Sequence, residues 1–173
     1  WGIVSGCGIW TLYEAVTYWM FANGYILFPV DWLESPIYCT LLFIAVPFIR
    51  GHHFYFTHRL THWPPLYRIS HYLHHKYTNT GPWSGLSMHP LEHLIYFSGV
   101  ALHWIIPSHP LHALFHGQHT GLAPVWGHSG FEKIVIGQKA YKFNDSFHFQ
   151  HHRYFECNYA GSEIPYDQWF GTW

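Results

Sequence analysis

The chain has 173 residues, the length of one domain, with a formal net charge of −1, 21% aromatic residues, only 10% charged residues and 18 histidines. So small a charge excludes the basic footprint of a nucleic-acid binder. Scarce charge with abundant Trp, Tyr and Phe instead indicates a membrane protein with broad interfacial belts, and a mean hydropathy of −0.03 is held down by the polar atoms of His, Tyr and Trp. Cys7, Cys39 and Cys157 are odd in number and scattered. That excludes a disulfide framework and a zinc ribbon, and they read as small buried apolar residues. With aromatic sequence at both Trp1 and Trp173, the expectation is a single domain over residues 1–173 that is a fragment at both ends.

Residues 1–30 are apolar and aromatic, interrupted only by Glu14, and the charge-free run 15–30 is near the lower limit for a membrane span. Asp31, Glu34 and Pro36 mark a turn, and 37–49 are apolar up to Arg50, which predicts a transmembrane helical hairpin. Glu14 either faces the bundle interior with a partner or sits near an interface. Residues 50–84 are polar and rich in His. Pro64-Pro65 must end any helix carrying His58 and His62. A new helix over 66–77, stopped by Asn79, Gly81 and Pro82, is expected to carry His71, His74 and His75. Residues 91–106 and 111–125 are apolar again, with Pro107 and Pro110 between. They predict a second hairpin that dips into the bilayer rather than crossing it cleanly. Residues 127–160 return to polar, His-containing sequence, and 161–173 form a loop with a closing aromatic segment.

All eight Lys and Arg lie in the two His-rich segments, none in 1–49 or 77–132. The positive-inside rule therefore puts both segments on the cytoplasmic side, where they can meet over the membrane face. The expected fold is all-α: an integral-membrane bundle of two helical hairpins under a cytoplasmic histidine-rich helical cap.

The pattern H-x-x-H-H occurs twice, as His71-Tyr-Leu-His74-His75 and His148-Phe-Gln-His151-His152. At this histidine frequency one copy arises by chance about 0.2 times, and two copies only about 0.02–0.04 of the time. H-x-x-x-H occurs five times against about two expected, so His58-x-x-x-His62 gains weight only from lying just before the first triplet. Positions i, i+3 and i+4 share a helix face. Three imidazoles there make a poor core and a good metal site. Neutral imidazole suits iron, zinc, copper and nickel. His58, His62, His71, His74, His75, His148, His151 and His152 exceed what one metal needs, which implies two. His128, in Trp-Gly-His-Ser-Gly, is a ninth candidate, with a turn role as the alternative. Glu92, Glu132, Asp145 and Glu156 are close enough in sequence to hold imidazole tautomers. His89 and His93 are expected to cap or support, His52 and His53 to sit at the interface, and most of His103, His109, His112, His116 and His119 to pack with hydrogen bonds.

From about residue 40 to the end, the chain resembles the integral-membrane fatty acid hydroxylase/sterol desaturase superfamily. The resemblance rests on His58-Arg-Leu-Thr-His62, the two H-x-x-H-H boxes, Cys157-Asn-Tyr-Ala-Gly161 as an N-Y-G segment and Tyr166-Asp-Gln-Trp-Phe-Gly-Thr172 as D-x-x-F-G-T. It implies a membrane-bound oxidoreductase that uses O2 to hydroxylate or desaturate a sterol or fatty acyl chain. It implies two non-haem iron ions as cofactor, with zinc able to occupy the same nitrogens, and His128 as a further family histidine. The implied partners are a lipid substrate and a separate electron donor, cytochrome b5-type or ferredoxin-type. The implied location is the endoplasmic reticulum in a eukaryote or the inner membrane in a bacterium. The rival readings are a zinc hydrolase, which lacks H-E-x-x-H here, a haem or electron-transfer membrane protein, and a metal transporter.

Overall fold

The computed structural model describes residues 2–142, 146–161 and 163–173. Helix accounts for 66% of the described residues. The first helix, α1 (Gly2–Ala22), stops where Asn23-Gly24 form a left-handed cap: Gly24 has φ +72°, and the Tyr25 and Gly24 amides donate to the Met20 and Phe21 carbonyls. The charge-free run 15–30 is therefore not one helix. A loop over 23–35 leads to α2 (Pro36–Thr61), which opens on proline and carries Pro47 inside. Among the described residues, α2 is the one helix long and apolar enough to cross a bilayer. Its Ile37, Leu41, Ile44 and Phe48 are exposed. Pro64 ends this run as expected, starting α3 (Pro64–Ile69).

The expected helix over 66–77 is broken at Ser70, and His71–Lys76 is wound as a 3-10 helix. The stretch is short, and its imidazoles are held by partners on other elements, which set its winding more than its own propensity does. The next arm is α4 (Pro90–Phe97) continued by a 3-10 turn, Ser98–Trp104, and the return arm is α5 (Pro110–Gly127). An unforeseen antiparallel ribbon pairs β1 (Lys133–Ile136) with β2 (Lys139–Lys142). Gly137, at φ +63°, takes the first position of its two-residue turn. Then α6 (Ser146–Tyr154) carries the second box, and α7 (Tyr166–Phe170) closes on Gly171 at φ +67°.

α1 packs on α4 and α5, and α2 on α5. Glu14 takes the interior reading: its Oε1 accepts from Trp10 Nε1 at 2.8 Å and from Gln118 Nε2 of α5 at 2.9 Å. The loops at 23–35 and 105–109 pair with each other, Val30 N to Ser108 O and Ser108 N to Phe28 O, both 3.0 Å. His58 lies 22 residues along α2 from that end, roughly 33 Å away. Cys39 is buried and Cys157 partly so, but Cys7 is exposed on α1, contrary to expectation.

Candidate metal centre

Chain ends of elements position the histidines. His58 lies on the last turn of α2 and His62 is its C-cap; His128 is the C-cap of α5; the two triplets sit on the 3-10 turn and on α6. All nine candidates meet, in two groups. His58, His62, His71, His75 and His151 form the first, and His74, His128, His148 and His152 the second, with ring nitrogens within 4.8 Å of one another in each. Rings from the two distant triplets touch, His74 on His152 at 4.5 Å and His75 on His151 at 4.8 Å between centroids.

Each H-x-x-H-H divides. The first sends its i, i+4 pair, His71 and His75, to one group and its i+3 residue, His74, to the other. The second does the reverse, giving His148 and His152 to the second group and His151 to the first. The two triplets thus interlock, and the groups lie side by side, with His75 stacked on His152 at 4.7 Å.

The donor set fits a metal ion. Four rings donate Nδ1–H outward to oxygen acceptors: His58 to Tyr159 O (2.7 Å), His71 to Glu92 Oε1 (2.6 Å), His128 to Pro124 O (2.8 Å) and His151 to Cys157 O (2.6 Å). A neutral ring with Nδ1 protonated has only a lone pair at Nε2. Yet the Nε2 atoms converge: His62 to His151 and to His71 at 3.0 Å, His75 to His71 and to His151 at 3.1 Å, His128 to His152 at 3.1 Å. His71 and His151 thus present Nε2 lone pairs to the same two rings, His62 and His75, an arrangement that a cation among the four nitrogens satisfies at once.

Burial enforces the neutral form. It pushes His71, His74, His148 and His151 well below the ordinary imidazole value, with neighbouring rings adding to the effect. Burial first, then the neighbouring imidazoles, lowers His152 to about 3, and burial lowers His128 to about 4.

Of the proposed carboxylate supports, Glu92 is in place, whereas Glu132 and Glu156 are exposed and make no such contact, because their side chains project from loops into solvent. Asp145 lies outside the described residues. A support missed in sequence is Asp167. Its carboxylate accepts from the Tyr159 and Ala160 amides at 2.9 and 2.7 Å, fixing the carbonyl that holds His58. The D-x-x-F-G-T segment was its available signal. Phe155 takes φ +68°, a strained turn for a bulky residue, just before the Cys157 carbonyl that holds His151. The other histidines stay apart: His89 and His109 cap helices, His103 bonds His116 and Ser108, His112 bonds Cys39 O, His93 bonds Ser5, His53 bonds Ser98, and His52 is exposed. His119 packs on Phe115 at 5.8 Å between centroids, with its Nδ1 buried without a partner beside a cavity.

That cavity, about 490 Å³, borders both groups through His58, His71, His74, His128 and His148 and runs between α2, α4 and α5 past Phe54, Tyr96, Phe115 and Trp126. Its size and aromatic lining suit a small apolar molecule.

The sequence pattern described as fatty acid hydroxylase matches residues 39–172. Among curated proteins, the chain is 28% identical to a Delta(7)-sterol 5(6)-desaturase of Gibberella zeae over 68% of this chain and 37% of that protein. It is 29% identical to a Delta(7)-sterol-C5(6)-desaturase of Nicotiana tabacum over 83% of this chain and 52% of that one. It is 28% identical to methylsterol monooxygenase 1 of Gallus gallus over 86% of this chain and 52% of that one. The chain thus spans about a third to a half of the length of these relatives. No solved structure matches it.

Proposed function

Because the chain belongs to the fatty acid hydroxylase family, we propose that it is a membrane-bound non-haem di-iron oxidoreductase that uses O2 to hydroxylate or desaturate a lipid. The observation that carries this reading is the pair of interlocked imidazole groups opening on one apolar cavity. Iron held there supplies the activation of O2 and the removal of hydrogen from an unactivated carbon. His58, His62, His71, His75 and His151 hold one ion, and His74, His128, His148 and His152 the other. Glu92, Tyr159 O, Cys157 O and Pro124 O keep Nε2 of their rings unprotonated and aimed inward. The aromatic walls orient the substrate and keep water from the reacting carbon.

The names of the relatives make a sterol the leading substrate class. The single domain sits with two helical hairpins in the bilayer and a histidine-rich cap on the cytoplasmic side, taking electrons from a separate cytochrome b5-type or ferredoxin-type donor. A haem reading fits less well: a porphyrin takes two axial nitrogens with its wide disc between them, whereas each group gathers four or five ring nitrogens, some of them only 3.0 Å apart, with no gap for a disc.

The test is expression of the full chain in a host lacking related enzymes, with metal analysis and lipid profiling. Two ions per chain are expected, with a new hydroxylated or unsaturated lipid that forms only with O2 and disappears in His74→Ala and His151→Ala. Turnover retained in both variants overturns the reading.

A further inference from the structure

Among the described residues, 130 to 141 form the longest stretch that is exposed throughout, and it contains the ribbon of β1 and β2. The ribbon follows His128, the C-cap of α5, and so stands at the metal-centre end of the bundle. Its register puts Ile134 opposite Tyr141 and Ile136 opposite Lys139 on one face. Lys133 opposite Lys142 and Val135 opposite Ala140 fall on the other. Apolar side chains therefore project from both faces, Val135 at 68% and Ile136 at 67% exposure. A two-stranded hairpin with neither face packed is marginal in water, and so much open aliphatic surface marks a site of interaction.

Shape and charge select what covers it. A protein surface lies against one face of a ribbon, whereas a bilayer surface closes over both. Within 131–142, Lys133, Lys139 and Lys142 stand against one acid, Glu132, a balance that suits anionic headgroups. The exposed Lys133 and Lys139 have stems long enough to lie along the aliphatic residues while their ammonium groups reach phosphate. Phe131 and Tyr141, both exposed, are side chains of the interfacial belt. Exposed Leu111, Leu122 and Trp126 lead along α5 towards the ribbon, which continues their apolar surface. The backbone sets the depth. Among the described residues the sheet has only these two strands, so each has an open outer edge. Unpaired amides do not enter hydrocarbon, and four residues of strand span only about 13 Å. The ribbon therefore lodges among headgroups and does not cross.

Resting on the membrane location proposed above, we propose that the ribbon is an interfacial anchor, seated on both faces in the headgroup layer of an anionic leaflet. It joins α5, which ends on His128, to α6, which carries His148 and His152, and these three histidines belong to one group. The anchor thus holds both elements of that group at the bilayer surface.

The experiment uses the full chain, metal-loaded, in nanodiscs of equal parts phosphatidylcholine and phosphatidylserine, or of phosphatidylcholine alone. An environment-sensitive fluorophore is attached singly at Val135→Cys and Ile136→Cys, one on each face, and at Ile44→Cys on the exposed side of α2, in a background of Cys7→Ser and Cys157→Ser. In the mixed discs, iodide is expected to quench both ribbon probes at least about threefold less than the fluorophore's cysteine conjugate free in water, and a shallow doxyl lipid to quench both. In phosphatidylcholine alone that protection is expected to fall by about half or more. If labelling lowers the thermal midpoint, amide exchange on the unmodified chain decides: residues 131–142 are expected to exchange at least about threefold more slowly with phosphatidylserine than without it. Ribbon probes as open to iodide as the free conjugate, protection on one face only, or protection indifferent to phosphatidylserine overturns the inference. So does protection that appears only with an added donor protein or a second chain in the disc. A quenched α2 probe beside unquenched ribbon probes sinks this inference alone, and an unquenched α2 probe sinks the membrane location with it. Quenched ribbon probes in a chain that oxidises no lipid sink the proposed activity alone.

Discussion

Glu92→Ala should weaken one metal ion and spare the other. Glu92 is 4% exposed, and its Oε1 accepts the Nδ1–H of His71 at 2.6 Å. With a cation on the His71 ring its N–H is a charge-assisted donor, and such a hydrogen bond contributes about 1.5–3 kcal/mol. At about 1.4 kcal/mol per decade this is roughly 10- to 100-fold in affinity, the range found for outer partners of ligating imidazoles. Without Glu92 the His71 ring is free to move its proton to Nε2 and present N–H to the ion in place of a lone pair. His71 belongs to the five-histidine group, and Glu92 bonds no member of the other. The loss should therefore fall on one of two binding steps. The assay is anaerobic titration of metal-free protein with iron(II) or zinc(II) against a chromophoric chelator. Expected is one step weakened about 10- to 100-fold and the other unchanged within about twofold, with Glu92→Gln at the mild end because an acceptor oxygen remains. Equal weakening of both steps, or of neither, would refute the assignment of Glu92 to a single site.

Acid should destabilise the metal-free fold. Burial lowers His128 to about 4 and His152 to about 3, so between about pH 6.5 and those values the unfolded chain binds protons that the folded chain refuses. Stability then falls as pH drops below about 6.5, with His128 alone withdrawing about 3 kcal/mol by pH 4. Thermal unfolding of stripped protein from pH 8 to 4 checks this, and a constant midpoint between pH 7 and 5 would contradict it. Separately, a Cβ at Gly121 of α5 would fall inside the Trp10 ring of α1, whereas Gly8 faces open space. Gly121→Leu should destabilise the bundle by about 3 kcal/mol and Gly8→Leu should be nearly neutral. Midpoints measured in detergent that are lowered equally by the two would refute close packing at that crossing.

The eight box histidines were legible because their spacing is local: i, i+3 and i+4 repeat along the chain, and Lys and Arg mark which segments share a compartment; His128 has no such repeat and stayed open between ligand and turn. Pro64 was equally readable as a helix stop, since proline acts on its own backbone. Spacing could not say that His74 parts from His71 and His75 while His151 parts from His148 and His152, because membership depends on where another element's ring stands. Nor could it choose Glu92 over Glu132 and Glu156, all of them near histidines in sequence, since among the described residues only the α4 position brings a carboxylate to a ring nitrogen. The end of α1 at Asn23-Gly24 was local and went unread; the 3-10 winding of His71–Lys76 was not local at all, being set by its partners. Arg50 looked like the end of an apolar span until the fold brought Glu163, 113 residues away, against it. The sequence by itself determined which side chains could bind metal. The tertiary structure alone decided how they are shared between two sites and what else faces the cavity, because contacts between distant elements are written in no single stretch of chain.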